Sequence, residues 1–226
     1  TLAFAASNGA TWTAATTLTV SDWVPGTTVL QFGSDASALT AGQLAQITFT
    51  GYGTGARLTS TGEVLPADYY FAESTGNASA TATWRGGSVP ADGDGISVIS
   101  GTLTLNGDRT VSNFTVASGA TVVSESGQSR VLTIASGGTL TNNGTFTPND
   151  GKVVFAGTGT VLGTVAFNDV DLSGGVNFEG ETTINGTFTV KPGGFITINA
   201  PTYGPSSTLD FATGGDYEVN EFTLLW

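Results

Sequence analysis

The chain has 226 residues, about a third of them Thr (39) and Gly (33), with 11% charged and a net charge of −12. Thr favours strands and Gly favours tight turns, so the bias points to all-β structure; the regularly recurring Val, Ile, Leu and Phe exclude a disordered chain. His, Cys and Met are absent, which excludes Ser–His–Asp and Cys–His catalysis, zinc sites and disulfides. The six cations, Arg57, Arg85, Arg109, Arg130, Lys152 and Lys191, lie far apart in sequence, and phosphate backbones need them clustered. Nucleic acid is therefore not an expected partner, and neither is an anionic membrane surface. No apolar run of about 18 residues is present for insertion into a bilayer.

Residues 1–66 read as a small β-rich, sandwich-like module. Apolar/polar alternation over 16–20, 29–32, 47–50 and 56–59 predicts strands. Between them, LTAGQLAQI predicts one short helix of about two turns, with Thr40 as N-cap and Gln43 closing a capping box. Leu39, Leu44 and Ile47 would face inward, and Trp12, Trp23, Phe32 and Phe49 would supply a small core. The region offers fewer strands than the roughly seven of a closed sandwich. Strands lie upstream of residue 1, or a neighbouring chain supplies one by β-augmentation, or the region is a small sheet packed onto the end of the repeats.

Residues 67–96 form a junction. Trp84 and Pro90 are placed to cap the open end of a stacked core. Asp92-Gly-Asp94-Gly starts like a calcium loop, but the further acidic ligands at fixed spacing are missing. A tight turn is the first reading there and a calcium site at Asp92/Asp94 the second.

From 97 onward a short unit repeats: apolar/Thr alternation, a Gly turn, another alternation. Copies begin near Ser97, Phe114, Leu132, Val153, Val170 and Phe188, at spacings of 17, 18, 21, 17 and 18 residues. Such a unit cannot bury a core by itself, so neighbours must stack. The expectation for 97–226 is a parallel β-solenoid of about six or seven rungs, ending in a cap or an edge strand. The pentapeptide NGTFT occurs at 143–147 and again at 185–189, two units of 21 residues apart. Phe114 and Val116, Leu132 and Ile134, Phe146, Phe188 and Val190, and Ile196 and Ile198 are the inward candidates, with the intervening Thr facing water.

No residue set points to catalysis. Two carboxylates can suffice for glycoside hydrolysis, and Asp169/Asp171 and Glu179/Glu181 each lie two apart, but a solvated acidic face is the simpler reading. The chain is expected not to be an enzyme and to hold no cofactor. Thr-x-Thr pairs at 102/104, 139/141, 145/147, 158/160 and 187/189 suggest an ice-binding face only weakly, since outward Thr is simply a good strand residue. Tyr52, Tyr69, Tyr203 and Tyr217 are candidate glycan contacts, through stacking on sugar faces.

With these segments in view, the chain resembles bacterial exported β-solenoid surface and adhesin-like repeat proteins, of the autotransporter-associated or type IX-secreted style. LTAGQLAQITF with STGEVLP looks like a module end of such proteins, and TWRGGSVPADGDGISVISGTLTL looks like the start of their repeats. The resemblance implies an extracellular or cell-surface location and a structural or adhesive role, with no catalytic residues to carry over. The leading expectation is a fibre subunit or adhesin segment that forms a homopolymer through its ends. Glu221, Phe222, Thr223, Leu224, Leu225 and Trp226 are the candidate subunit interface. A carbohydrate-binding module is the alternative, and an ice-binding solenoid a weaker third.

Overall fold

A computed structural model describes residues 1–212; it is almost entirely β, and most of its strand pairs are parallel. The N-terminal elements are β1 (Leu2–Phe4), β2 (Leu18–Val20), β3 (Leu30–Phe32), helix α1 (Ala41–Ala45), β4 (Ile47–Phe49), β5 (Ala56–Leu58) and β6 (Val64–Pro66). The helix forms where its capping box lies. Thr40 N donates to Gln43 Oε1 at 2.8 Å, and Gln43 N donates to Thr40 Oγ1 at 3.2 Å. It is only five residues long. Gln43 also does something that its sequence position does not reveal. Its Nε2 holds the N-terminal loop through Ser7 O (2.7 Å) and Ala10 O (3.0 Å).

The sandwich-like arrangement expected for 1–66 is replaced by stacked turns of chain. β1 pairs with β3 and β2 with β4, both parallel, and only β5 and β6 form an antiparallel hairpin. Each parallel pair joins strands of three residues separated by a long excursion. The chain therefore returns in the same direction, one layer on, instead of folding back to build two facing sheets. Trp23, Leu30, Phe32, Leu39, Ile47, Phe49, Val64 and Leu65 are buried in this module, with Trp12 and Leu44 partly buried against them.

The solenoid begins earlier than residue 97. β7 (Tyr69–Ala72) and β8 (Gly76–Asn77) form a partial first layer, followed by a 3₁₀ turn at Thr81–Thr83. Six three-stranded rungs follow. The first is β9 (Gly95–Val98), β10 (Thr102–Leu105) and β11 (Arg109–Val111); the second is β12 (Phe114–Val116), β13 (Thr121–Ser124) and β14 (Val131–Ile134). The third is β15 (Gly138–Asn142), β16 (Thr145–Thr147) and β17 (Lys152–Phe155); the fourth is β18 (Gly159–Gly163), β19 (Val165–Phe167) and β20 (Asp169–Leu172). The fifth is β21 (Gly175–Phe178), β22 (Thr182–Ile184) and β23 (Thr187–Val190); the sixth is β24 (Phe195–Ile196), β25 (Thr202–Tyr203) and β26 (Thr208–Phe211).

Stacking these rungs builds three walls. The first runs β7-β9-β12-β15-β18-β21-β24 and the third β11-β14-β17-β20-β23-β26. The second is divided into β8-β10-β13-β16 and β19-β22-β25. The six sequence copies do not share one wall. Leu132, Val153, Val170 and Phe188 are successive partners on the third wall, whereas Phe114 pairs with Ile96 on the first. The step from Phe114 to Leu132 thus stays within one rung. Likewise Phe146 of the first NGTFT lies on the second wall and Phe188 of the other on the third, so the interval between them is not two whole turns.

Inward side chains form one continuous core, in which Phe114, Ile134, Phe155, Phe167 and Phe188 are fully buried. Its rings touch both within and between layers: Phe155–Phe178 at 6.3 Å, Phe178–Phe188 of the fifth rung at 6.2 Å and Phe188–Tyr203 at 5.9 Å between centroids. Each buried Phe adds about 1.5–3 kcal/mol. Ile198, expected inward, is 67% exposed, because β24 ends at Ile196 and the chain has already turned the corner. Trp84 caps the first layer as expected: it is 3% exposed, and its indole N–H donates to Ala78 O at 3.0 Å. Pro90 is buried as well. β7 is shared between two cores, with Phe71 in the N-terminal cluster and Ala72 in the solenoid.

Asn and Asp side chains tie most rungs to the next. Asp92, Asp108, Asn113, Asp169 and Asn177 each accept, through Oδ1, the backbone N–H of a residue one rung later: Thr110, Val131, Thr139, Thr187 and Asn199, at 2.7–3.1 Å. At another corner Gly180 lies directly against the backbone of Gly163, so a β-carbon there would collide with main-chain atoms. Gly180→Ala is expected to destabilise the protein by more than about 1 kcal/mol. Gly107→Ala, at a corner with open space around it, should change stability by less than about 0.5 kcal/mol. Urea titration of the two variants checks the contrast.

Candidate functional site

The first strands of the molecule carry its most unusual surface. In the N-terminal module Leu2 pairs with Leu30, Phe4 with Phe32 and Leu18 with Ile47. The inner members are 5%, 5% and 0% exposed, while Leu2, Phe4 and Leu18 are 58%, 46% and 39% exposed. Phe4 lies flat on Phe32, 4.9 Å between centroids, with Trp12 on the same ring at 6.1 Å. Leu2, Phe4 and Leu18 are core side chains of a layer covered on one side only. Residues 1–21 contain no charged side chain.

The hydrogen bonds of this layer give its edge a direction. Leu2 N donates to Val29 O (2.8 Å), and Phe4 O accepts from Gly33 N (2.9 Å). Leu18 N donates to Gln46 O (2.8 Å), and Val20 O accepts from Thr50 N (3.1 Å). Peptide groups alternate sides along a strand, so the N–H and C=O of Ala3 and Thr19 point away from β3 and β4. Among the described residues β1 pairs only with β3 and β2 only with β4.

At the opposite end, Phe195 and Ile198 of the sixth rung are 46% and 67% exposed. The candidate interface Glu221, Phe222, Thr223, Leu224, Leu225 and Trp226 lies outside the described residues, as does Tyr217. No sequence signal separated β1 from a loop, since three residues are too few to show alternation. What could have found it is the uncharged stretch 1–21 combined with Leu2 and Phe4.

The other candidate tyrosines are drawn into cores. Tyr52 and Tyr69 meet edge to face at 5.0 Å and, with Trp23, Phe49 and Phe71, make one aromatic cluster. Burial raises the pKa of both. Tyr70 has Arg57 over its ring at 4.2 Å. Tyr203 packs on Phe188 near the far end of the solenoid. The three described candidates are half-buried and belong to two separate cores, so they do not build one stacking platform.

The polar candidates are engaged as well. Asp92 Oδ1 accepts from Thr110 N (3.1 Å) and Asp94 Oδ2 from Ala91 N (2.7 Å), which makes Asp92-Gly-Asp94 a hydrogen-bonded turn. The described residues contain no group of three or more acidic side chains that could hold a metal ion. Asp169 and Asp171 share a strand face but play different parts. Asp169 caps Thr187 N, and Asp171 is paired with Lys152 (3.2 Å) and Lys191 (2.7 Å). Those two lysines, distant in sequence, converge on one carboxylate. Glu179 accepts from Asn177 Nδ2 at 2.7 Å.

An open cleft of about 630 Å³ separates the N-terminal module from the first rung, lined by Pro25, Thr27, Glu63, Glu73, Arg85 and Ser100. Sequence reasoning missed it. Arg85 is matched to both acids, donating through Nε to Glu63 at 3.0 Å and through Nη1 to Glu73 at 2.7 Å. The cleft therefore presents a lock between the modules, with its cation already neutralised.

The Thr-x-Thr pairs scatter over three walls. Thr102/Thr104 and Thr145/Thr147 flank Thr121/Val123 in register on the second wall, Thr139/Thr141 lie on the first, and Thr187/Thr189 on the third. No helix of the described residues is long and apolar enough to cross a membrane. No protein-family model, curated protein or solved structure matches the chain.

Burial lifts the Tyr203 phenol from its ordinary 10 to about 12. The fold holds it neutral, so its contribution to stability is complete below pH 10 and is lost as pH rises through 12. Tyr52 and Tyr69 act in the same direction. Tyr203→Phe keeps the contact with Phe188 and cannot ionise, so its urea midpoint should fall less than the wild type's between pH 10 and 12. Equal falls would contradict the assignment.

Proposed function

We propose that the chain is a non-catalytic bacterial structural protein, exported to the cell surface or beyond, that serves as a filament subunit or adhesin segment and associates end to end by strand pairing. The observation that carries this reading is the position of its exposed apolar side chains. Leu2, Phe4, Leu18 and Val24 lie in the N-terminal module and Phe195, Ile198 and Phe211 on the last rung, while the walls between them expose no large apolar side chain among the described residues. Parallel strands support the same conclusion. A layer added by translation along the stack keeps every new pair parallel, and head-to-tail contacts that do not close generate filaments. The resemblance to exported repeat proteins and the low charge agree with a location outside the cell.

The test is sedimentation velocity over a concentration series, with the intact chain and a chain lacking residues 221–226. The intact chain should form species that grow with concentration, and the truncated chain should remain a folded monomer with an unchanged thermal transition. Normal assembly of the truncated chain would remove the C-terminal segment from the interface. A monomer at every concentration for both would favour the glycan-binding alternative.

A further inference from the structure

Resting on the proposed end-to-end assembly, we infer that its acceptor is the outer edge of β1, and that the strand added there is the C-terminal segment Phe222–Trp226 of a second copy of this chain. β1 offers both parts of a strand-acceptor site. Its open backbone groups are the N–H and C=O of Ala3, directed away from β3 by the bonds that Leu2 and Phe4 make. Its apolar shelf is Leu2 and Phe4, 58% and 46% exposed, with Phe4 stacked on Phe32 beside Trp12. A strand added to β1 gains main-chain hydrogen bonds from the first and side-chain burial from the second.

The donor follows from the chain that continues past the described residues. Fourteen residues, 213–226, end in Phe222-Thr-Leu-Leu-Trp226. In an extended strand Phe222, Leu224 and Trp226 fall on one face, and two consecutive members of that row match the spacing of Leu2 and Phe4. Addition parallel to β1 repeats the arrangement by which β1 itself lies on β3.

Length favours a second copy over the same chain. Six rung steps separate β7 from β24, or about 29 Å at roughly 4.8 Å each. Residues 213–220 span at most about 26–29 Å fully stretched. That reaches the level of β7 with nothing left to pass β6 and β3, which stand between β7 and β1.

The edge can be tested without disturbing the fold, because Ala3 makes no bond to β3. Ala3→Pro removes the outward N–H and places a ring against an incoming strand, while the bonds of Leu2 and Phe4 remain. The experiment mixes two variants of the 226-residue chain: Ala3→Pro, with an intact donor, and the chain lacking 221–226, with an intact acceptor. Matching thermal transitions establish that both are folded. Each alone should be monomeric by sedimentation velocity, and the mixture should give a 1:1 dimer and nothing larger. If Ala3→Pro assembles like the intact chain while the truncation does not, β1 is not the acceptor and end-to-end assembly stands. If the truncated chain itself assembles, Phe222–Trp226 is not the donor and this inference fails while end-to-end assembly stands; if the intact chain and both variants stay monomeric at every concentration, the proposed function fails along with it. If the intact chain stays monomeric while truncation alone raises hydrogen exchange at Ala3, the segment docks within its own chain and the inference is overturned.

Discussion

An inward side chain in a stacked-rung fold is buried only when a layer lies on both sides of it. The two strands β1 and β3 display this rule with little else varied: the same sheet, Leu opposite Leu and Phe opposite Phe, one pair buried and the other half in water. Within the solenoid every layer from β9 to β23 satisfies the rule, and Phe114, Phe155 and Phe188 vanish from the surface. At the start of the solenoid Trp84 covers the core from above, with its indole N–H satisfied by Ala78 O. A solenoid cannot avoid having ends, where a layer must be capped or left with unpaired groups exposed.

The rungs are not equal in length, and the stack tolerates this because the corners are anchored separately from the strands. Phe114 pairs across to Leu140, whereas Val161 pairs to Phe178 over a much shorter loop. Asn and Asp bonds to the following rung hold register wherever the strands stop. Where no side chain intervenes, as at Gly163 and Gly180, the layers meet backbone to backbone. Of the acidic residues spaced like catalytic pairs, Asp169 serves this anchoring, and Glu179 accepts from Asn177 two residues before it. Asp171 instead gathers two of the few cations, Lys152 of β17 and Lys191 just past the end of β23.

Local features were legible in the sequence and long-range ones only partly. The capping box at Thr40 and Gln43 depends on four consecutive residues, and it forms in the structure. Alternation identified the inward Phe114, Val116, Leu132 and Ile134, because period-two burial is a property of the strand itself. The assignment of strands to walls was not legible. NGTFT serves a second-wall strand at Phe146 and a third-wall strand at Phe188, so one pentapeptide suits two corners, and the count of copies could not reveal three strands per turn. The direction of Tyr52 depends on partners distant in sequence, Trp23, Tyr69 and Phe71, and nothing local announces it. The parallel pairing of the N-terminal strands was hidden for the same reason: three-residue strands carry no mark of which way their partner runs.

On the proposed reading, the half-covered layer at β1 of one molecule receives the C-terminal segment of the next. Negative-stain electron microscopy of the intact chain at rising concentration tests it most directly. Unbranched filaments one molecule wide are expected, with an axial repeat no shorter than the roughly 29 Å that six rung steps of about 4.8 Å occupy. A field of separate particles at every concentration would contradict it.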